Sequence, residues 1–342
     1  MRATSPFVVP PVRPSSLVAN ALAAFANRLA KNARHWGKWA RRRDIGAYRI
    51  YDRDVPEFPL AIDAYHALDP AIGLRVHVQE IDTGWQQDEA EHAAWLAAVQ
   101  ATVARALALP ASSIVTKQRM KRHGREQHTR TGVAGTEFAI AESGLRFLVN
   151  LEAYLDTGLF LDHRTLRGMV RERAAGRRVL NLFAYTGSFT VYAAAGGATT
   201  SDTVDLSNTY VDWAARNFAL NALDSRQHAL IRADVLTWLD QARVEGRRYD
   251  LIVLDPPAFS NSKAMDGVLD IQRDHAALVN ATRVLLDPGG ELFFSTNLRT
   301  FKLDPALAAD PLCADITART LPEDFRDRRI HHAFRIVAPA AR

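Results

Sequence analysis

Between residues 178 and 297, five short apolar runs alternate with four amphipathic stretches, and this alternation restricts the fold more than any other feature. RVLNLF (178–183), ATTSDTVD (198–205), HALIRAD (228–234), YDLIVLD (249–255) and GELFFSTN (290–297) read as strands. Helical patterns fill the gaps at 187–195, 208–221, 235–243 and 269–286. Strands separated by helices predict a parallel, doubly wound α/β sheet, whose ligands bind outside the carboxyl ends of the strands. The residues at those ends therefore carry the functional information.

The first strand runs into NLFAYTGSF (181–189), where only Gly187 opens the next helix. That is not the GxGxxG pyrophosphate fingerprint, and it argues against a nicotinamide-dependent oxidoreductase. A loop with Asn181, Thr186 and a lone glycine suits a nucleoside-type ligand without phosphates, although any strand-to-helix turn can hold a glycine. The second strand ends in Asp205, placed to accept ribose hydroxyls, and the third in Asp234, placed to accept an adenine amine. The fourth ends in Asp255-Pro256-Pro257-Ala258-Phe259. Two consecutive prolines make a stiff, extended turn without amide donors, which would fix Asp255 and Phe259 at the sheet edge.

The part before residue 152 has a different texture. AYRIYD (47–52), PLAIDAYH (59–66) and LRVHVQEI (74–81) read as strands, 88–108 as a helix, and SIVTKQRM (113–120), TEFAIAE (136–142) and LRFLVNL (145–151) as further strands. The last two are expected to form a hairpin at Ser143-Gly144. Ahead of them, 19–43 reads as one amphipathic helix, with Leu22, Phe25, Leu29, Ala33, Trp36 and Ala40 on an apolar stripe. Arg28, Lys31, His35, Lys38 and Arg42 fall on the opposite face. Residues 1–50 hold ten Lys and Arg against the single acid Asp44, a net of +9 in a chain whose total is +5. A face built for solubility mixes signs, whereas a single-sign stripe suits phosphates. The segment KQRMKRHGREQHTR (117–130), with Lys121, Arg122 and Arg125, adds a second basic surface.

Cys313 is the only cysteine, which excludes an internal disulfide and a cysteine-based metal site; no metal is expected, and a reducing, cytoplasmic setting is. No apolar run approaches the roughly 20 residues of a membrane helix, so no membrane association is expected. The proline-rich MRATSPFVVPPVRPSS reads as a flexible leader.

Taken together, NLFAYTGSF, the TVDLS around Asp205 and DPPAFSNSK (255–263) resemble the class I S-adenosylmethionine-dependent RNA methyltransferases. The likeness is to the RlmK half of the bacterial RlmKL enzymes, which methylate guanine N7 in large-subunit (23S) ribosomal RNA. It extends through FANRLAKNARHWGKWAR (25–41), YRIYDRDVPE (48–57), YLDTGLFLDHR (154–164), DIQRDH (270–275) and DFRDRRIHH (324–332). The resemblance implies a Rossmann-like methyltransferase sheet preceded by a small α+β domain of strand-strand-helix-strand-strand type. The expected layout is a leader (1–17), a basic amphipathic helix (18–44), a small RNA-binding domain (45–151) and a methyltransferase domain (152–342).

Carried over by position, the resemblance makes Asn181, Phe183, Ala184, Tyr185, Thr186, Gly187 and Ser188 the loop on the methionine side of S-adenosylmethionine. Asp205, Leu206 and Ser207 would flank the ribose, and Asp234 and Val235 the adenine. Phe160, Asp162 and Arg164 would approach the cofactor, Arg164 pairing with its carboxylate. Asp255, Pro256, Pro257 and Phe259 would form the catalytic turn, Asp255 also lining the cofactor site. Arg328 and Arg329, with Arg326, His331 and His332, would reach phosphates of the ribosomal RNA or of a pre-ribosomal particle. The resemblance does not extend to the other half of the fused enzymes, so a free-standing protein with room for a separate partner is expected.

The acceptor atom decides what chemistry is needed. Pyrimidine C5 requires a cysteine nucleophile, and Cys313 lies far along the chain from the strand ends. An exocyclic amine, as in guanine N2 methylation, usually goes with an Asn-Pro-Pro-aromatic turn; here the first residue is Asp and the aromatic is displaced by one place, to Phe259. Guanine N7 has a free lone pair and no proton, so stacking on Phe259 and a carboxylate to stabilise the cationic product suffice. The alternatives are another RNA base position, namely guanine N2 or cytosine C5, or an RNA-binding protein without catalysis.

Overall fold

The computed structural model describes residues 15–81, 88–118, 135–154, 156–260 and 268–340. By their contacts these residues divide into two units, the first comprising 15–118 with 135–144 and the second 145–340.

The first unit begins with α1 (Ser15–Arg42), followed by β1 (Ala47–Asp52), β2 (Leu60–His66), β3 (Leu74–Glu80), α2 (Glu89–Leu107), β4 (Ile114–Gln118) and β5 (Glu137–Glu142). The sheet order is β1-β2-β3-β4, antiparallel except for the parallel β3–β4 pair that the α2 crossover requires. From β2 onward the order is strand, strand, helix, strand, strand, with β1 added at one edge. The helix α1 is not a separate module, contrary to the layout expected from sequence. Phe25, Leu29 and Ala40 share one core with Tyr51, Phe58, Ile62, Val76 and Val99. Phe25 meets Tyr51 edge-on at 5.0 Å and stacks on Phe58 at 4.6 Å. The faces divide as the spacing predicts, with Arg28, Lys31, His35, Lys38 and Arg42 exposed. The helix begins at Ser15, three residues before the expected start. Ser143 (φ +55) and Gly144 (φ +77) both take left-handed backbone, the conformation of a type I′ turn.

The second unit opens with β6 (Leu145–Asn150), so the division falls seven residues before the expected boundary. There follow α3 (Arg164–Arg173), β7 (Arg178–Leu182), α4 (Ser188–Ala195), β8 (Thr200–Asp205), α5 (Asn208–Leu220), β9 (His228–Arg232), α6 (Val235–Val244) and β10 (Tyr249–Leu254). The remainder is β11 (Phe259–Ser260), β12 (Leu269–Asp270), α7 (Ile271–Arg283), β13 (Leu286–Thr296), α8 (Pro305–Ala309), β14 (Cys313–Asp315), α9 (Thr317–Thr320) and β15 (His332–Val337). Among the described residues the main sheet runs β14-β15-β13-β10-β7-β8-β9. The five strands from β13 to β9 are parallel, and β15 and β14 are antiparallel additions that the sequence pattern did not reveal.

This topology fixes the place of a ligand. From β7 the chain proceeds outward through β8 and β9, then returns to start β10 on the other side of β7. The order therefore reverses between β7 and β10, where Leu182 and Leu254 pair as the last ladder residues. Two loops leave the sheet at this crevice, one starting at Phe183 and the other at Asp255. Open α/β sheets bind their ligands at such a switch point.

Candidate active site

The loop after β7 is strained and firmly held. Phe183 (φ +55), Tyr185 (φ +51) and Gly187 (φ +74) all lie in the left-handed region, which side-chain-bearing residues adopt only when their surroundings enforce it. The Ala184 N–H donates to the Val204 carbonyl at 3.1 Å, and the Tyr185 N–H to Asp205 Oδ2 at 2.8 Å. A Cβ on Gly187 would approach Phe218 Cε1 to 2.8 Å, so glycine serves both the φ angle and the packing of α4 on α5.

YLDTGLFLDHR supports this loop from the side. Gly158 N–H donates to the Tyr185 hydroxyl at 2.9 Å, and Thr186 Oγ1 donates to the Gly158 carbonyl at 2.7 Å. Gly158 has φ +99, and a Cβ there would lie 2.3 Å from Trp213 Cζ2, so no larger residue fits. The wholly buried Arg167 donates to the Phe160 carbonyl at 2.8 Å and lies over the Tyr192 ring. Phe160 is thereby set against Tyr185, with ring centroids 5.0 Å apart.

Asp205 joins the loop to the end of β8. Its Oδ2 accepts from Tyr185 and its Oδ1 from the Ser207 N–H at 2.8 Å. Burial pushes its carboxyl up to about 6, although those backbone donors pull the other way. With the Leu206 N–H as a third backbone donor, the carboxylate keeps acceptor capacity for a further donor.

At the end of β10, Asp255 belongs to a line of buried polar groups. Ser295 Oγ donates to Asp255 Oδ1 at 2.6 Å, and His163 Nε2 stands 3.5 Å from the same oxygen. On its other side His163 Nδ1 is 3.5 Å from Asp162 Oδ2. His331 Nδ1 lies 3.1 Å from that oxygen, and its Nε2 lies 2.9 Å from Thr320 Oγ1. The two imidazoles stack, with centroids 5.0 Å apart. Burial alone would lower the His163 pKa, but Asp255 and Asp162 outweigh it and bring the imidazolium up to about 10. Burial would raise Asp255, yet His163 and the Ser295 hydroxyl hold it below the usual carboxylate range. His163 thus stands between two carboxylates, its ring nitrogens buried and 3.5 Å from each. Asp162, His163 and His331, all buried, bring ligand-type atoms within 4.8 Å of one another.

Several positions differ from the sequence expectation. Arg164 is buried and donates to Asp324 Oδ1 at 2.8 Å, so its charge is committed inside the fold rather than offered to a ligand carboxylate. Asp162 is likewise buried and wires the two histidines together. Asn181 is fully buried and donates to Thr190 Oγ1 at 3.1 Å, bracing the loop from beneath. Thr186 is buried by its bond to Gly158, and Val235 packs into the core. Asp234 caps α6, its Oδ1 accepting from the Thr237 N–H at 3.0 Å, and Ser207 caps α5. His331 is wholly enclosed and cannot meet a phosphate. Arg326, Arg328 and Arg329 are exposed. Lys121, Arg122 and Arg125 lie outside the described residues.

What remains open at the crevice is Phe160, Phe183, Tyr185, Ser188, Asp205, Leu206 and Asp255, none of them fully buried. Ala184 and Pro256 are buried, and Pro257 is half-buried. Phe259 is 42% exposed on β11, whose partner β12 leads straight into α7, so the aromatic ring projects from an anchored turn. His163 was missed as a member of the site, and Ser295, legible at the end of the fifth strand, was given no role there. The DHR triplet did show an acid beside a histidine, but nothing local indicated that Asp255, 92 positions away, would close on it.

A family model of S-adenosylmethionine-dependent methyltransferases matches residues 84–341. The chain belongs to this family. The methyltransferase is 54% identical over 312 residues to "Ribosomal RNA large subunit methyltransferase K" of Neisseria meningitidis serogroup B, covering 91% of this chain and 86% of the relative. It is 48% identical to "Ribosomal RNA large subunit methyltransferase K/L" of Methylococcus capsulatus over 97% of this chain, but spans only 45% of that longer relative. A methyltransferase from Streptococcus mutans shares the fold, with a TM-score of 0.72, 24% identity, and coverage of 93% of this chain and 81% of the other. Another structure, a methyltransferase complexed with SAH, aligns with a TM-score of 0.73 at 24% identity, over 93% and 82% of the two chains.

The residues present suit the cofactor S-adenosylmethionine. Asp205 has acceptor capacity left for hydroxyl donors, the crevice is flanked by aromatic faces, and the single-glycine loop provides no pyrophosphate cradle. Among the described residues no helix is long and apolar enough to cross a membrane.

Proposed function

We propose that the methyltransferase transfers a methyl group to N7 of a guanine in large-subunit ribosomal RNA, a substrate class that the names of its relatives share. S-adenosylmethionine supplies the methyl group as a sulfonium. In this reading Asp205 accepts the ribose hydroxyls, and Asp234 borders the adenine with the carboxylate oxygen that does not cap α6. Phe160, Phe183, Tyr185 and Ser188 enclose the methionine side. Alignment of the two reacting groups then contributes most of the catalysis, because the transfer is an in-line displacement.

The observation that carries the choice of reaction is the state of Asp255. Both of its side-chain contacts fall on Oδ1, and His163 and Ser295 favour its ionised form; Phe259, four positions further along the same turn, is exposed. An ionised carboxylate in the same turn as an exposed aromatic ring favours an acceptor that gains positive charge and loses no proton, as guanine N7 does. Cys313 lies on β14 at the far edge of the sheet order, with its thiol pushed up by burial and by Asp310, the reverse of an activated nucleophile. The basic face of α1 and exposed Arg328 and Arg329 are the proposed backbone contacts.

A transfer assay with labelled cofactor and large-subunit RNA tests the role of Asp255. Asp255→Asn is expected to lower the turnover rate at saturating S-adenosylmethionine at least tenfold. Unchanged turnover would remove Asp255 from the catalytic turn.

A further inference from the structure

The first unit contains a groove of about 470 Å3 that has no part in the chemistry above. It is lined from α1 by Arg34, Gly37, Lys38 and Arg41, and from the sheet by Tyr48 and His66. Volumes of roughly 300–1,000 Å3 hold drug-sized ligands, a class that includes nucleotides. None of the three cations has a carboxylate partner among the described residues, and Lys38 stands four positions from Arg34 and three from Arg41. Like charges at these helical spacings oppose each other, and an anion seated among them removes the opposition. Gly37 in mid-helix is unfavourable for α1 itself. A Cβ there would come to 3.3 Å from the Tyr48 hydroxyl, so glycine keeps that side of the groove open.

The sheet side carries two aromatic rings, Tyr48 and His66, beside the aliphatic Ile50, Ala64 and Leu74. Tyr48 is buried and His66 is exposed; their rings stack with centroids 5.6 Å apart and planes 16° from parallel, and the Tyr48 hydroxyl lies 3.0 Å from His66 Nε2. Tyr48 thus fixes the imidazole while leaving it open to a ligand. Partial burial and the neighbouring Arg41 both lower the His66 pKa, so the ring is neutral at neutral pH and offers a flat face.

We propose that this groove takes one nucleotide of a single-stranded RNA segment, its phosphate on Arg34, Lys38 and Arg41 and its base stacked on His66. The proposal rests on the RNA reading of the function and deepens it. A base within a duplex has both faces covered by its neighbours, so an aromatic seat selects an unstacked base. Phosphate contacts alone would not make that distinction.

The test is a binding titration of the full chain with a single-stranded oligoribonucleotide, and with the same sequence as a duplex. His66→Ala is expected to weaken single-strand binding roughly tenfold, the effect of losing one base stack, and to leave duplex binding and S-adenosylhomocysteine binding unchanged. His66→Phe should restore single-strand affinity, because stacking and not a hydrogen bond is at issue. Unchanged single-strand affinity in His66→Ala, with Arg28→Gln/Lys31→Gln weakening both RNA forms, would overturn the groove and retain the RNA reading. A wild-type chain that binds neither RNA form would overturn that reading and the groove with it.

Discussion

His163 Nε2 stands 3.5 Å from Asp255 Oδ1, and this contact links the segment before the sheet to the acid at its crevice. The same imidazole faces Asp162, so one positive charge serves two buried carboxylates. A buried pair of this kind adds little to stability compared with an apolar substitute, but removing one member leaves an uncompensated charge. The arrangement is therefore better understood as holding Asp255 ionised and oriented than as a stabilising device. Asp162 and His331 lie one step behind it, with His331 Nδ1 3.1 Å from Asp162 Oδ2.

Replacing His163 by Gln should destabilise the protein by about 3–5 kcal/mol at pH 7, the cost of breaking a buried pair. The pH dependence has a definite sign. In the unfolded chain the imidazole titrates near about 6.5, whereas in the fold it is brought up to about 10, so the folded state holds the extra proton between these values. Its stabilisation is fully present below the unfolded value and is lost as pH rises through about 10. Thermal unfolding followed from pH 6 to 10 should show a falling midpoint for the wild type and a flatter profile for His163→Gln. Parallel profiles would show that His163 is neutral in the fold.

Asp205→Asn should weaken S-adenosylhomocysteine binding by about 1.5–3 kcal/mol, or roughly 10- to 150-fold, for the loss of a charge-assisted bond. Burial brings this carboxyl up to about 6, so the ionised acceptor diminishes as pH falls through that value. Calorimetry should find wild-type affinity declining below pH 6 and the Asn variant insensitive over the same range. Equal affinities at pH 7.5 would exclude Asp205 from the cofactor site.

Cys313→Ser should leave methyl transfer within twofold of wild type. The thiol is raised rather than activated, and it sits on β14, where the backbone pairs with β15. A variant that binds cofactor normally but transfers no methyl group would instead indicate covalent activation of a pyrimidine.

Arg28, Lys31 and Lys38 are exposed on α1 and have no carboxylate partners among the described residues. Exchanging all three for Gln should reduce the salt dependence of RNA binding by about two to three in slope, since each phosphate neutralised by a cation adds roughly 0.7–0.9. S-adenosylhomocysteine affinity should not change. Identical slopes for the two proteins would mean that the face is only solvated.

Much of this molecule was legible in its sequence because local patterns specify local structure. The strands from β7 to β10 end within a few residues of their expected limits, and α1 buries Phe25 and Leu29 as their spacing predicts. Asp205 and Asp255 could be placed at one end of the sheet because parallel strands bring their carboxyl ends together. The errors concern long-range pairing. Arg164 looked available, but its partner Asp324 is 160 positions away, and Asp162 is tied to His331 across 169. His331 belonged to a charged run expected to reach phosphates, while Ala333, Phe334 and Ile336 just after it were starting a buried strand. Polar residues with distant partners look the same in sequence as polar residues facing solvent.

The identity of the methylated nucleoside bears most directly on the proposed reaction. Large-subunit RNA from a strain lacking this protein should be incubated with the purified chain and labelled S-adenosylmethionine, digested, and resolved by mass spectrometry against nucleoside standards. Transfer to guanine N7 requires label in 7-methylguanosine, absent when Asp255→Asn replaces the wild type. Label in N2-methylguanosine or 5-methylcytidine, or no transfer by a chain that binds the cofactor, would be incompatible with it.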